Sequence, residues 1–325
     1  MVKKHLNSIK IDFKKCIIED CLLQIRNLKH INEPDLVKVW TIEIAPKDTP
    51  LVLNFIKEYF SDDDPVTYLH CKRIQKSADG SKLCVILCST KLISDADDVC
   101  KKLKEADFAY EKLAQHDLPM VAPYSRELSR EWSTRYWPLV WRGNPNDQIL
   151  NDCVFDIPYI KKILEKVESK CIEIKDSKKG LPIVTAFVNP ADVNNPYFEI
   201  DYRFEGDALC HSIMQGIRKV ANEEAKRRER VSKGLEEARI DNYLCLDFEV
   251  YTSHEPCSMC AMALIHSRIK RCIFIEPRTK TGSLKQDSGD GYCMHNNKEL
   301  NSKYEVFQWV GKQFSLPEIG ADECC

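Results

Sequence analysis

Three side chains in the second half of the chain have the types and spacing of a metal centre. Cys257 and Cys260 form a C-x-x-C pair in Pro256-Cys257-Ser258-Met259-Cys260, and His211 opens an earlier apolar-periodic run, DALCHSIMQG (207–216). Two thiolates and one imidazole suit a tetrahedral Zn²⁺ and leave one coordination position over. A helix N-terminus beneath the thiols lowers their pKa and helps the metal displace their protons. A C-x-x-C also serves as a redox pair, but no Trp-Cys-Gly-Pro-Cys context surrounds this one, and a lone His at a helix start also serves as a cap or core residue. Taken together, in the order strand, helix with His, strand, helix with PCxxC, strand, the three residues point to zinc.

What such a metal does depends on a proton carrier. Hydrolysis by a zinc-bound water needs a base for the water and an acid for the leaving group, and one positioned carboxylate commonly serves as both. Two residues after His211 the chain has Ile213, which can do neither. Losing one positioned acid/base costs roughly 10²–10⁴-fold in rate, so catalysis from this site is expected to be negligible. Glu255 and Glu205 are the nearest carboxylates in sequence, and spacing alone excludes neither as a displaced stand-in. The segment GADECC (320–325) carries two thiols and a terminal carboxylate. It is a candidate to fold back on the vacant position with Cys325 or Cys324 as fourth ligand, the alternative being an unstructured tail.

The elements that position these residues follow from the hydrophobic pattern. Helix is expected over 154–169, strands over 182–190 and 197–204, helix over 207–221, strand over 243–252, helix over 256–269, and strands over 271–277 and 304–311. A charged segment, EEAKRRERVSKGLEEAR (223–239), interrupts the order. The first part reads as a smaller α/β domain: strand 39–45, a helix over 49–60 with Thr49 as N-cap and Pro50 at its first position, a strand near 68–74, a turn at Asp79-Gly80, strand 83–90, and a helix opening at Ser94 and running to about 113. RELSREWSTRYWPLVWRGNP (126–145) holds three of the five tryptophans and four arginines. Its tryptophans either clamp the segment onto a neighbouring core or stack on nucleic acid. The expected division is an N-terminal α/β domain over 1–125, a Trp/Arg-rich linker over 126–153, and a zinc domain over 154–325.

The residues HEPCSMCAMALIHSRIKR (254–271) resemble the second motif of TadA-type tRNA adenosine deaminases, and GYCMHNNKELNSKYEVF (291–307) resembles the noncatalytic subunit of the eukaryotic tRNA wobble-adenosine deaminase. Zinc deaminases carry the signature H-x-E…P-C-x-x-C, whose Glu shuttles protons and does not bind the metal. Here Ile213 stands at that Glu, the one departure from the pattern. The resemblance covers about 154–311 and implies a cytidine-deaminase-like fold, a central mixed sheet with helices on both faces. It implies a catalytic partner subunit in a heterodimer, tRNA as substrate, and an N-terminal domain that grips the tRNA body. It also implies a supporting role for Glu255, and a heterodimer contact through 261–271, whose apolar face is Met262, Ile265 and Ile269 unless these fill the domain's own core.

Composition neither drives nor opposes this reading. The 48 basic and 50 acidic residues give a net charge of −2, so any nucleic-acid surface must be local. Candidates are Lys226, Arg227 and Arg228; Arg268, Lys270 and Arg271; the run 278–285; and Lys3, Lys4, Lys10, Lys14 and Lys15. Mixed runs such as KRRERVSKGLEEAR also make ordinary solvated helix faces. No apolar run approaches the ~20 residues of a membrane helix. Sixteen cysteines without a secretory signal fit a reducing compartment, so the expected location is cytoplasmic and nuclear.

Overall fold

A computed structural model of the chain describes all residues except 1–8, 29–31, 61–62, 78–79, 178–179, 205–206, 236–242, 298 and 313. Lys3, Lys4, Glu205 and Asp79 therefore lie outside the described residues. The chain divides into two compact units, Leu28–Leu150 and the combination of Met1–Asn27 with Asn151–Cys325. This differs from the expected division at both ends. Three short strands, β1 (Ile11–Asp12), β2 (Ile17–Ile18) and β3 (Leu22–Gln24), belong to the larger unit, and most of the expected linker belongs to the smaller one.

The smaller unit is an antiparallel sheet in the order β5-β6-β4-β7, made of β4 (Leu36–Ile44), β5 (Ile74–Lys76), β6 (Leu83–Ser89) and β7 (Tyr110–Pro119). Helices α1 (Thr49–Tyr59) and α2 (Ala96–Leu103) cover one face, with Trp40, Ile42 and Ile44 packed against Val52, Phe55, Ile56, Val99 and Leu103. A 3-10 turn over Pro46–Asp48 precedes α1, which makes Asp48 the cap where Thr49 was expected. Asp95 caps α2 by accepting from the Asp97 amide. The expected long helix from Ser94 stops at Leu103, because β4 pairs along its other edge with β7, and that tertiary pairing overrides the helical pattern of 104–113. On the second face lies α3 (Arg126–Arg135), capped by Ser125, whose hydroxyl accepts from the Leu128 amide. Trp132 and Trp137 are fully buried there among Val37, Val39, Ile86 and Leu118, and the Trp137 indole N–H donates to the Lys72 carbonyl at 2.6 Å. These two tryptophans are core residues, unavailable for stacking on RNA. Trp141 alone of the cluster stays partly exposed. Helix α4 (Pro145–Asp152) follows.

The larger unit is built on one mixed eight-stranded sheet, order β1-β2-β3-β12-β11-β10-β8-β9, with β8 (Leu181–Asn189), β9 (Asp192–Asp201), β10 (Glu249–His254), β11 (Arg271–Glu276) and β12 (Glu305–Trp309). β10, β11 and β12 run parallel, and β8 and β3 flank them antiparallel. Side-chain alternation sends Val250, Cys272, Phe274 and Val306 into a core with α6 (Ser212–Ser232) and α7 (Ser258–His266). Helix α5 (Ile157–Ser177) packs on β8 and β10, burying Ile160, Ile163, Leu164 and Val167. The result is a mixed sheet clad by helices on both faces, as the resemblance implied. Residues 243–248 are the exception. They form turns before β10, with the Leu246 amide bonding Tyr243 and Leu244 and Asp247 at φ +54° and +63°. Helix α6 runs on to Ser232 through half of the expected charged interruption. Among the described residues no helix is long and apolar enough to cross a membrane.

Two consequences for stability follow. A Cβ added at Gly216, in α6, would fall 2.1 Å from Cε2 of Phe187, itself fully buried. Gly216→Ala gains up to about 1 kcal/mol of helix propensity but overpacks a core that cannot yield, typically at 1–3 kcal/mol or more. A lower midpoint in urea unfolding is the expected result. His295, in a short 3-10 turn at Met294–Asn296, has one ring nitrogen 3.2 Å from the Ile25 carbonyl. Burial pushes its pKa down from 6.5 to about 4. The unfolded chain thus binds more protons than the folded one between these values, so stability rises with pH there and is lost as pH falls from 6.5 towards 4. The expected loss is up to about 1.4 kcal/mol per pH unit, and His295→Gln should flatten that slope in denaturation curves at pH 7, 6 and 5.

Candidate metal centre

The ligand residues stand where chain geometry puts two helix N-termini side by side. His211 is the N-cap of α6 and Cys257 the N-cap of α7, both in extended conformation with no side-chain capping bond, while Cys260 lies in the first turn of α7. Strand β10 ends at His254, so its last residue feeds directly into Glu255-Pro256-Cys257. All three ligand residues are buried, and their donor atoms lie within 4.8 Å of one another. His211 Nδ1 is 3.5 Å from Cys260 Sγ and 3.9 Å from Cys257 Sγ. Tetrahedral zinc with Zn–S near 2.3 Å and Zn–N near 2.0–2.1 Å spaces such atoms by roughly 3.5–3.8 Å. The three donors therefore fit the ion. The Cys257 thiol is drawn down to about 4 by hydrogen bonding from Cys260 and then from His211, while Cys260 is pushed up by its thiolate neighbour and by burial.

No carboxylate joins this group among the described residues. Ile213 is 1% exposed and packs in the same core cluster as both cysteines. Glu255, read from sequence as a candidate stand-in, is committed elsewhere. It is fully buried, and its Oε1 accepts from the Leu284 and Lys285 amides at 2.9 Å each. Its Oε2 accepts from the Arg278 amide at 3.0 Å and the Ser288 hydroxyl at 2.7 Å. A carboxylate with four donors is a loop anchor, not a free base.

The last residues lie against the site. The Cys257 amide, an orphan donor at the start of α7, is taken by the Cys325 carbonyl at 2.7 Å, and Cys325 is 2% exposed. Neither Cys324 nor Cys325 joins the three-donor group, although the Cys324 thiol is pushed up by burial and then by the neighbouring Cys257. Sequence reasoning missed what holds this segment. Arg203, held by buried Asp201 at 2.9 Å, donates to the Cys324 carbonyl at 2.6 Å. The Arg278 guanidinium reaches the carbonyls of Gly320 and Glu323, and Thr281 donates to Glu323 at 2.9 Å. These bonds end on backbone carbonyls, which carry no sequence signal.

The basic candidates separate by environment. Arg227 and Arg228 both pair with Glu224, and Lys226 pairs with Glu223, all within α6. This network holds the Glu224 carboxyl down at about 2, first through Arg227. Arg271, expected at the surface, is 2% exposed: it donates to the Val154 carbonyl, lies over the Phe155 ring, and sits between Glu249 and Glu305. It ties strands together and cannot meet a phosphate. Arg278 is likewise buried, and Lys280 and Lys285 pair with Asp322 and Asp287. Arg268 and Lys270 are exposed, Arg268 over the Tyr243 ring, and Lys10 pairs with Asp20. Ile265 on α7 and Ile269 just beyond it fill the unit's own core, and Met262 is half-buried against that core, leaving Ser258 and His266 exposed on the helix.

Comparison with known proteins agrees with this construction. Residues 161–276 match the family described as the cytidine and deoxycytidylate deaminase zinc-binding region. Over 330 aligned residues, spanning 100% of both chains, the sequence is 44% identical to the tRNA-specific adenosine deaminase subunit TAD3 of Saccharomyces cerevisiae. It is 29% identical over 280 residues, 84% of each chain, to the tad3 subunit of Schizosaccharomyces pombe. A 68-residue stretch is 44% identical to the Danio rerio protein named "Probable inactive tRNA-specific adenosine deaminase-like protein 3", covering 21% of this chain and 19% of that one. With 44% identity across the whole of the Saccharomyces cerevisiae chain, this chain belongs to the TAD3 family of tRNA-specific adenosine deaminase subunits.

Proposed function

We propose that the chain is the structural, tRNA-positioning subunit of a deaminase that converts adenosine 34 of tRNA to inosine, with catalysis in its partner. The observation that carries this is the pairing of an intact three-donor metal set with a buried, apolar Ile213 where a proton carrier is needed. Zinc held by His211, Cys257 and Cys260 would lock the starts of α6 and α7 together, a structural use of the ion. When bound it supplies that cross-link and nothing else. The segment 320–325 closes the remaining side, through either Cys324 or Cys325 or by lying across it.

The partner subunit docks, in this proposal, on the outer face of α7 at Ser258, Met262 and His266, forming a heterodimer. The tRNA meets the smaller unit; Arg268 and Lys270 of the larger unit are further phosphate candidates. Lys226 and Arg228 are secondary, since ion pairs of exposed side chains are weak enough to exchange for phosphate, and Arg227, half-buried against Glu224, ranks behind them. The domain roles follow: a tRNA-gripping smaller unit and a pseudo-catalytic zinc unit. The work is placed in the cytoplasm and nucleus, where thiols remain reduced.

An autonomous deaminase using Glu255 is the other reading, and the four donors on that carboxylate weigh against it. Native mass spectrometry of the co-expressed pair, with zinc counted per chain, separates the two. The expected result is a one-to-one complex with metal in both chains that forms inosine at position 34. A chain that purifies metal-free, or a partner fully active without it, would sink the proposal.

A further inference from the structure

We propose that Glu255 is a positioning residue for the metal centre, its carboxylate gathering residues 278–288 into a brace that fixes Cys257. This rests on the reading of His211, Cys257 and Cys260 as a zinc site.

The four donors to Glu255 come from a stretch of eleven positions, Arg278 and Leu284 to Ser288, that has neither helix nor strand of its own. A loop without regular structure must satisfy its backbone elsewhere, and here a single buried carboxylate takes three amides and one hydroxyl. The Glu255 amide in turn donates to the Glu276 carbonyl at 2.8 Å, which fixes the carboxylate against the end of β11.

The gathered loop then acts on the cysteines through three contacts. Gly282 forms an isolated antiparallel bridge with Cys257. The Ser283 amide and hydroxyl both donate to the Pro256 carbonyl at 3.1 Å. Leu284, fully buried, packs in the cluster that contains Cys257 and Cys260. The fit leaves no slack: a Cβ on Gly282 would lie 2.4 Å from the Glu255 carboxyl carbon and 2.7 Å from the Arg278 carbonyl oxygen. Residues that orient a metal ligand from behind typically change metal affinity by roughly 10–100-fold when altered.

The test measures zinc release from the purified complex to a chromophoric chelator, for wild type, Glu255→Gln, Ser288→Ala and Val167→Ala, at a temperature where each remains folded. Val167 is fully buried on α5 and outside the cluster that holds Leu284, Cys257 and Cys260, so Val167→Ala controls for a general loss of stability. Glu255→Gln is expected to release zinc at least about tenfold faster than wild type. Ser288→Ala, which removes one donor and keeps the carboxylate, should shift release in the same direction by less, and it serves if Glu255→Gln does not fold. Hydrogen exchange at the Arg278, Leu284 and Lys285 amides should quicken in parallel, and Val167→Ala should change neither. Release from Glu255→Gln and Ser288→Ala no faster than from Val167→Ala would overturn the proposal alone. A wild-type complex that holds no zinc in this chain would overturn the metal reading and the proposal with it.

Discussion

Replacing Cys257 and Cys260 together by serine is expected to strip the metal and to melt the larger unit at or below room temperature. Binding at a structural zinc site is worth on the order of 10 kcal/mol, comparable to the whole stability of a domain. The loss is not confined to the ligands. Ile213, Leu264 and Leu284 share the core that the two cysteines enter, so releasing the starts of α6 and α7 opens that core to water. The smaller unit has its own core around Trp132 and Trp137 and should survive. Metal analysis gives the first readout. Tryptophan fluorescence gives the second, because four of the five indoles, Trp40, Trp132, Trp137 and Trp141, lie within Leu28–Leu150. A double-serine variant with an unchanged unfolding curve would dismiss the structural role of the ion.

The isolated chain is expected to form inosine at least about 10⁴-fold more slowly than the heterodimer. One missing acid/base residue accounts for roughly 10²–10⁴ of that, and the same carboxylate is needed both to activate water and to protonate the departing amine, so the losses compound. Within the complex, Ile213→Val should leave the inosine rate within about twofold, since that side chain only fills a core and loses one methylene. Single-turnover assays on an anticodon stem-loop with A34 read both. Robust turnover by the isolated chain, abolished in Glu255→Gln, would transfer catalysis to this subunit.

The gathering of His211, Cys257 and Cys260 was legible because metal chemistry restricts residue type: only a few side chains bind zinc, and these three stand at helix starts that the hydrophobic pattern marks. The sequence also shows Ile213 two residues after His211, and the structure shows it buried in the same core. The brace around Glu255 and the clamp of Arg203 and Arg278 on residues 320–324 were not, because their partners are amides and carbonyls common to every residue. Strands β1 to β3 escaped notice for another reason. Two or three residues cannot display an alternation, and they become strands only because β12 offers an open edge for Leu22, Leu23 and Gln24. The surface charges misled where burial decides: Arg271 has the same side chain as Arg268 but is enclosed by Phe155, Glu249 and Glu305.

The pairing of β3 with β12 also sets an order of events at the ribosome. The first strands of the larger unit are synthesised before the smaller unit, and the edge they seal is synthesised after it. Until Glu305–Trp309 emerges, Ile18 and Leu22, both fully buried in the finished molecule, have nowhere to go. Leu28–Leu150 can meanwhile collapse on its own core, so the nascent chain carries a finished insert between two unfinished halves. That interval is when an apolar N-terminal hairpin is exposed to misassociation.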